Sequence, residues 1–207
     1  MHDQKPLHKP DIRKANVLPP LPVGSSPWDT LIYWLGIGLG SGMPKRAPGT
    51  WGTAGGLVVA IPMIWLGFWG FLAVTLIACA IGAYICGRTS ELMGVHDDPH
   101  IVFDEWVGMW ISLLPLKYCY QFNPFGVMDY YQMDTWLGLW QWFHLLIAFV
   151  LFRFFDILKP FPIKWVDKNV SGGFGILIDD VLAGIMASGV FIIIIKLVLS
   201  PDALGSS

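Results

Sequence analysis

Apolar residues in this chain come in long blocks, not in the stripes of a soluble helix or the alternation of a half-buried strand. Five blocks approach the ~20 residues that a helix needs to cross a bilayer; they cover residues 51–66, 69–87, 101–116, 136–158 and 174–199. A further apolar stretch at 29–40 is short, which predicts an interfacial or re-entrant segment, not a sixth crossing. The pattern therefore predicts an all-α fold, a polytopic integral membrane helical bundle with about five crossings. Residues 1–27, rich in Pro, Lys and His, lack the apolar core of a signal peptide and are expected to form a disordered cytoplasmic tail. A single membrane domain over 28–199 and a short tail over 200–207 complete the organisation, and no internal repeat is visible.

Composition sharpens the class. The chain is 55% hydrophobic and 14% charged, with a mean hydropathy of +0.58, whereas soluble domains carry about 25% charged residues. Eleven tryptophans fit a protein with many side chains at the membrane-water boundary. The net charge of -2 and the lack of a long basic run give no reason to expect nucleic acid as a partner. Cys79, Cys86 and Cys119 have no metal-site spacing and read as packing residues, and the isolated His144 reads as a packed or interfacial side chain.

Lysine and arginine set the orientation. With the N-terminal tail in the cytoplasm, five crossings put Lys45, Arg46, Arg88, Arg153, Lys159, Lys164 and Lys168 on the same side, and leave only Lys117 and Lys196 near the other. In that frame Asp104 and Glu105 enter the third block, Asp156 leaves the fourth, and Asp179 and Asp180 enter the fifth. All five acids then lie at cytoplasmic helix ends, level with the Gly-rich loop "GSGMPKRAPGTWG" at 40–52.

One carboxylate near a helix end can reach water, but five at one level need a common explanation. Asp179 and Asp180 are adjacent, and keeping two like charges ionised near an apolar phase requires a strong positive partner. A divalent cation would neutralise more charge in less space than a lysine. Carboxylates without a Cys or His cluster suit a hard ion such as Mg²⁺ and disfavour zinc. Glycine one turn beyond a carboxylate, as in Asp104 with Gly108 and Asp180 with Gly184, would let helices approach closely and bring the acids together. Arg153, Asp156 and Lys159 lie three apart on one stripe, which suggests that Asp156 binds metal while the two cations hold phosphate oxygens. Lys45 and Thr50, at the start of the first block, add a cation, a hydroxyl and free helix-terminal amides. In "GVHDDPH" at 94–100, Asp98 followed by Pro99 reads as a helix start.

These residues resemble the bacterial phosphatidylglycerophosphatase A family. The resembling blocks are "GSG" and "APGTWGT" (40–42, 47–53), "MGVHDD" and "IVFDEWVGMW" (93–98, 101–110), and "FRFFDILKPFPIKWVDKNVSGGFGILIDDVLAG" (152–184). The resemblance implies a Mg²⁺-dependent phosphatase of the bacterial cytoplasmic membrane, with its active site at the cytoplasmic face. Its substrate would be the phospholipid phosphatidylglycerophosphate, cleaved to phosphatidylglycerol and phosphate. It implies that Asp104, Glu105, Asp156, Asp179 and Asp180 form the metal and catalytic region, with Thr50, Arg153 and Lys159 beside it, and does not fix individual roles. Within that region the expected catalytic set is Asp104, Glu105, Asp156 and Asp180, with Glu105, Asp156, Asp179 and Asp180 toward metal. Lys45, Thr50, Arg153 and Lys159 would hold the phosphate. Both a water and a carboxylate nucleophile remain open. The N-terminal tail and a polar, aromatic insert at 119–135 depart from the family pattern and lie outside the matching blocks. The competing expectation is a proton- or cation-coupled transporter using the same acids, although transport sites usually sit near the midplane.

Overall fold

A computed structural model describes residues 17–124 and 139–199 of the chain. Among these residues the protein is helical throughout: α1 (Pro27–Gly36), α2 (Pro48–Met63), α3 (Gly67–Met93), α4 (Phe103–Phe122), α5 (Leu139–Leu158), α6 (Ile163–Asn169) and α7 (Gly172–Ile194). Two apolar segments, Pro48–Met93 and Gly172–Leu197, are each long and apolar enough to cross a membrane. The first is broken at Gly67, whose φ of 69° lies where a side chain is disfavoured, so α2 and α3 are separate helices.

Helix directions follow from pairs of contacts. Trp110 Nε1 donates to the Gly56 carbonyl and Lys117 Nζ to the Ile64 carbonyl, which sets α2 parallel to α4. Gly108 meets the Asp180 backbone and Ile111 meets Ser188, so α7 is also parallel to α4. Phe68 near Gln121 and Gly82 near Phe103 make α3 antiparallel, and Phe152 against Gly108 with His144 beside Tyr120 does the same for α5. Helix α4 packs against α2, α3, α5 and α7 and is buried on nearly every face, which makes it the axis of the bundle.

The α4–α7 contact is close because both helices present glycine there. A methyl group at Gly184 would meet the Gly108 carbonyl and Ile111, and one at Gly108 would meet the Asp180 carbonyl and Phe152. This is the approach that the spacing of Gly108 and Gly184 below the acids predicts. Pro115 has no N–H to donate to the Ile111 carbonyl one turn earlier, and Ser188 Oγ on α7 donates to that carbonyl instead, at 2.8 Å.

Helix α1, with ten residues, is about 15 Å long and too short to cross a membrane, in keeping with a short segment at 29–40. Ser26 Oγ accepts the Asp29 amide at its start, and Asp29 pairs with Arg88 of α3 at 2.8 Å. Part of the expected tail belongs to the fold: Leu18 and Leu21 pack against the core, and Tyr33 donates to the Pro19 carbonyl. Residues 1–16 and 200–207, and the insert from residue 125 to 138, lie outside the described residues. Cys79, Cys86 and Cys119 are free, and His144 is buried against Tyr120 and Phe191, in agreement with their reading as packing residues.

Exposed tryptophans gather at the two ends of the bundle: Trp28, Trp51 and Trp165 at the end where α4 and α7 begin, and Trp65, Trp69 and Trp142 at the other. Between them the outer surface carries Leu76, Ile77, Ile81, Leu146, Val150 and Ile185. Substituting Gly184→Ala is expected to destabilise the protein by roughly 1–3 kcal/mol, because the added methyl faces backbone that cannot yield. Unfolding in detergent measures this, and an unchanged stability would mean that the two helices do not meet at this point.

Candidate active site

The five acids singled out from the sequence line one cleft of about 240 Å³. Asp104 and Glu105 come from the first turn of α4, where the positive end of the helix favours anions. Asp156 comes from the last turn of α5, and Asp179 and Asp180 from the part of α7 just before its contact with Gly108. Parallel α4 and α7 bring their early turns to the same end, and antiparallel α5 arrives there with its last turn. That topology is what gathers acids far apart in sequence.

Two cations hold the cluster. Arg153 Nη1 lies 2.6 Å from Asp156 Oδ2, 3.6 Å from Glu105 Oε1 and 3.3 Å from Thr53 Oγ1. Lys159 Nζ lies 2.6 Å from both Asp179 Oδ2 and Asp167 Oδ1, and so ties α6 to α7. Burial by itself lowers the pKa of the Lys159 ammonium, but the hydrogen bonds to Asp167 and Asp179 outweigh it and hold the pKa above the usual lysine range. Arg153 and Asp156 are each only 15% exposed, so their pairing is largely shielded from solvent.

Glycines in α2 let its first turns close on the cluster. A methyl group at Gly49 would meet Glu105 Oε1, and one at Gly52 would meet Glu105 Oε2 and Val102. The structure brings together Asp104, Glu105, Arg153, Asp156, Lys159, Asp179 and Asp180. Lys45 and Thr50 are exposed and lie outside the cleft lining, while Thr53, one turn further along α2, is the hydroxyl that reaches Arg153.

Asp97 and Asp98 also line the cleft. The reading of Asp98 and Pro99 as a helix start is corrected by the structure, since α4 begins at Phe103 after the cap residue Val102. The Asp98 carboxylate instead accepts from the His100 amide at 3.0 Å and lies 2.6 Å from His100 Nδ1. Three consecutive charged or imidazole side chains before Pro99 were the available signal, but a capping pattern explained them as well.

Two carboxylate oxygens in the cluster, Glu105 Oε2 and Asp179 Oδ1, are buried with no hydrogen-bond partner among the described residues. Such atoms are costly unless something completes them. Among the described residues no three His, Cys, Asp or Glu side chains stand preassembled as a metal cage. The donor chemistry nevertheless fits a hard cation, because it is all oxygen and Mg²⁺ takes only one or two protein carboxylates, with water and substrate phosphate supplying the rest.

The sequence pattern of the phosphatidylglycerophosphatase A family matches residues 34–195, which contain every element of the cleft. A phosphatidylglycerophosphatase A of Haemophilus influenzae is 43% identical over 157 residues, covering 75% of this chain and 83% of that protein. The phosphatidylglycerophosphatase A of Escherichia coli is 36% identical over 185 residues, covering 89% of this chain and 90% of the relative. No solved structure matches the chain.

Removing Arg153 leaves Asp156 and Glu105 without their shared cation. Arg153→Met is expected to lower stability by roughly 3 kcal/mol, and Glu105→Gln in the same chain to restore part of it. Denaturant unfolding in mild detergent measures both. A loss below about 1 kcal/mol would make the pairing no stronger than a surface ion pair.

Proposed function

The chain belongs to the phosphatidylglycerophosphatase A family, and we propose that it hydrolyses the terminal phosphomonoester of phosphatidylglycerophosphate to phosphatidylglycerol and phosphate. It is a phosphoric monoester hydrolase on this reading. The observation that carries the proposal is the convergence of five carboxylates and Lys159 in one cleft at one end of an apolar bundle, with Arg153 paired to Glu105 and Asp156 of that cleft.

The arrangement suits a lipid substrate. Five long helices of alternating direction support five crossings, with Arg88, Arg153, Lys159, Lys164 and Lys168 at the cleft end and Lys117 and Lys196 toward the other. The cleft then lies at the depth of lipid headgroups on the cytoplasmic face. A substrate can keep its acyl chains in the leaflet while its phosphate enters the cleft. Asp104, Glu105 and Asp156 sit at helix ends, while Asp179 and Asp180 lie about two turns into α7, and all five line one cleft, which favours a phosphatase over a transport site.

Mg²⁺ would be held by one or two carboxylates drawn from Glu105, Asp156, Asp179 and Asp180, and when bound would offset the charge of the group and acidify a water. Arg153 and Lys159 supply cations to the phosphoryl oxygens as charge builds on them. Each must loosen its carboxylate partner to do so, and a cation among the acids makes that exchange affordable. Asp104, anchored by its bond to the Glu105 amide at 3.0 Å, holds a carboxylate at the edge of the ligand set. Water attacks phosphorus, the bond from phosphorus to the glycerol oxygen breaks, and phosphate and the lipid alcohol leave.

Phosphate release from phosphatidylglycerophosphate in detergent micelles tests the proposal. The intact protein is expected to require Mg²⁺ and to stop in EDTA, and Asp180→Asn to lose at least about a hundredfold in rate. Release that persists in EDTA, or in a folded Asp180→Asn variant, would contradict it.

A further inference from the structure

The cleft contains a carboxylate with its own support, separate from the cationic pairs. Asp98 is 6% exposed and lines the cleft, and its Oδ1 is occupied by His100, through the backbone amide at 3.0 Å and ring Nδ1 at 2.6 Å. Among the described residues no hydrogen bond engages its Oδ2, and Asp98 is part of the cleft lining. Among the described residues no Arg or Lys lies within ion-pair distance of Asp98. It differs from Asp156 and Asp179 in that their engaged oxygens are held by the cations Arg153 and Lys159, whereas that of Asp98 is held by His100.

His100 is 1% exposed, and its burial locks the ring in place. The hydrogen bond at Nδ1 and the adjacent backbone amide clamp one carboxylate oxygen from two directions, which fixes the direction in which the other points. A clamped oxygen paired with an open one is the geometry that orients a water. A carboxylate that only filled space in the cleft would need no such clamp.

On the phosphatase reading above, we propose that Asp98 holds the attacking water and accepts its proton, and that His100 is the residue that positions Asp98. The water oxygen forms a bond to phosphorus while the bond from phosphorus to the glycerol oxygen breaks. The water's proton passes to Asp98 Oδ2, and the departing glycerol oxygen takes a proton from solvent water at the cleft mouth. Asp98 later returns its proton to solvent. His100 reacts with nothing and acts only through the orientation of Asp98.

The test measures kcat, KM and the Mg²⁺ concentration for half-maximal rate on phosphatidylglycerophosphate micelles, with thermal melting as a check on folding. Asp98→Asn is expected to lower kcat by about 10²–10⁴-fold, with KM and the Mg²⁺ requirement within about threefold of the intact protein. His100→Ala is expected to lower kcat at least about tenfold, and His100→Asn, whose amide nitrogen can donate at the Nδ1 position, to recover most of the loss. His100→Gln, which cannot donate from that position, should not recover it. The inference is overturned if folded Asp98→Asn keeps more than about a third of kcat, or if its defect lies in KM or the Mg²⁺ requirement. It is equally overturned if His100→Ala, →Asn and →Gln are impaired alike. If the intact protein itself releases no phosphate, the phosphatase reading fails first, so the two failures are distinguishable.

Discussion

The structure depends on the contact of two glycines, Gly108 on α4 and Gly184 on α7. Their missing side chains let two parallel helices meet at backbone distance, and the acids one turn toward the helix starts are carried together as a consequence. Asp104 and Asp180 share an end because α4 and α7 run the same way. Asp156 joins them because α5 runs the other way, with Phe152 packed on Gly108. Packing, favourable on its own account, thus imposes an electrostatic problem: seven carboxylates line one cleft, against Lys159 in its lining and Arg153 paired with Asp156.

That imbalance is the link from fold to chemistry. Arg153 and Lys159 are engaged by carboxylates, yet Glu105 Oε2 and Asp179 Oδ1 remain buried with no hydrogen-bond partner among the described residues. A site built only for stability would replace some of these acids with apolar residues, since buried ion pairs are weak sources of stability. On the proposed reading a cation and a phosphate monoester together would complete both halves, the metal taking the acids and the phosphate taking the released cations. The excess of negative charge would then be the means by which a phosphate-bearing lipid and a divalent ion are held in the same cleft.

Much of this was legible in the sequence because apolar blocks and charged ends are dictated by the bilayer. The blocks at 101–116 and 174–199 became α4 and α7, and the glycine spacing correctly indicated where they touch. What could not be read was the rotation of each helix about its axis. Thr50 and Lys45 shared the loop with the site in sequence, yet α2 turns Thr53 toward Arg153 and leaves those two exposed. Local capping preference misdirected the reading of Asp98, because Asp-Pro equally favours a turn in which the carboxylate accepts from the amide two residues on, here that of His100. The seven-residue α6 was hidden between Pro160 and Gly172, too short for periodicity to register. Leu18 and Leu21 were lost in a Pro-rich context that resembles a tail, although they pack on the core.

The central claim is that a divalent cation completes the carboxylate cluster, and direct location of the ion tests it most directly. Crystals of the purified protein grown with Mn²⁺ in place of Mg²⁺ would be measured for anomalous scattering. The account predicts one or more peaks in the cleft, at bonding distance from oxygens of Glu105, Asp156, Asp179 or Asp180. A cleft without anomalous density at saturating Mn²⁺, with Arg153 and Lys159 still paired to the acids, would contradict it.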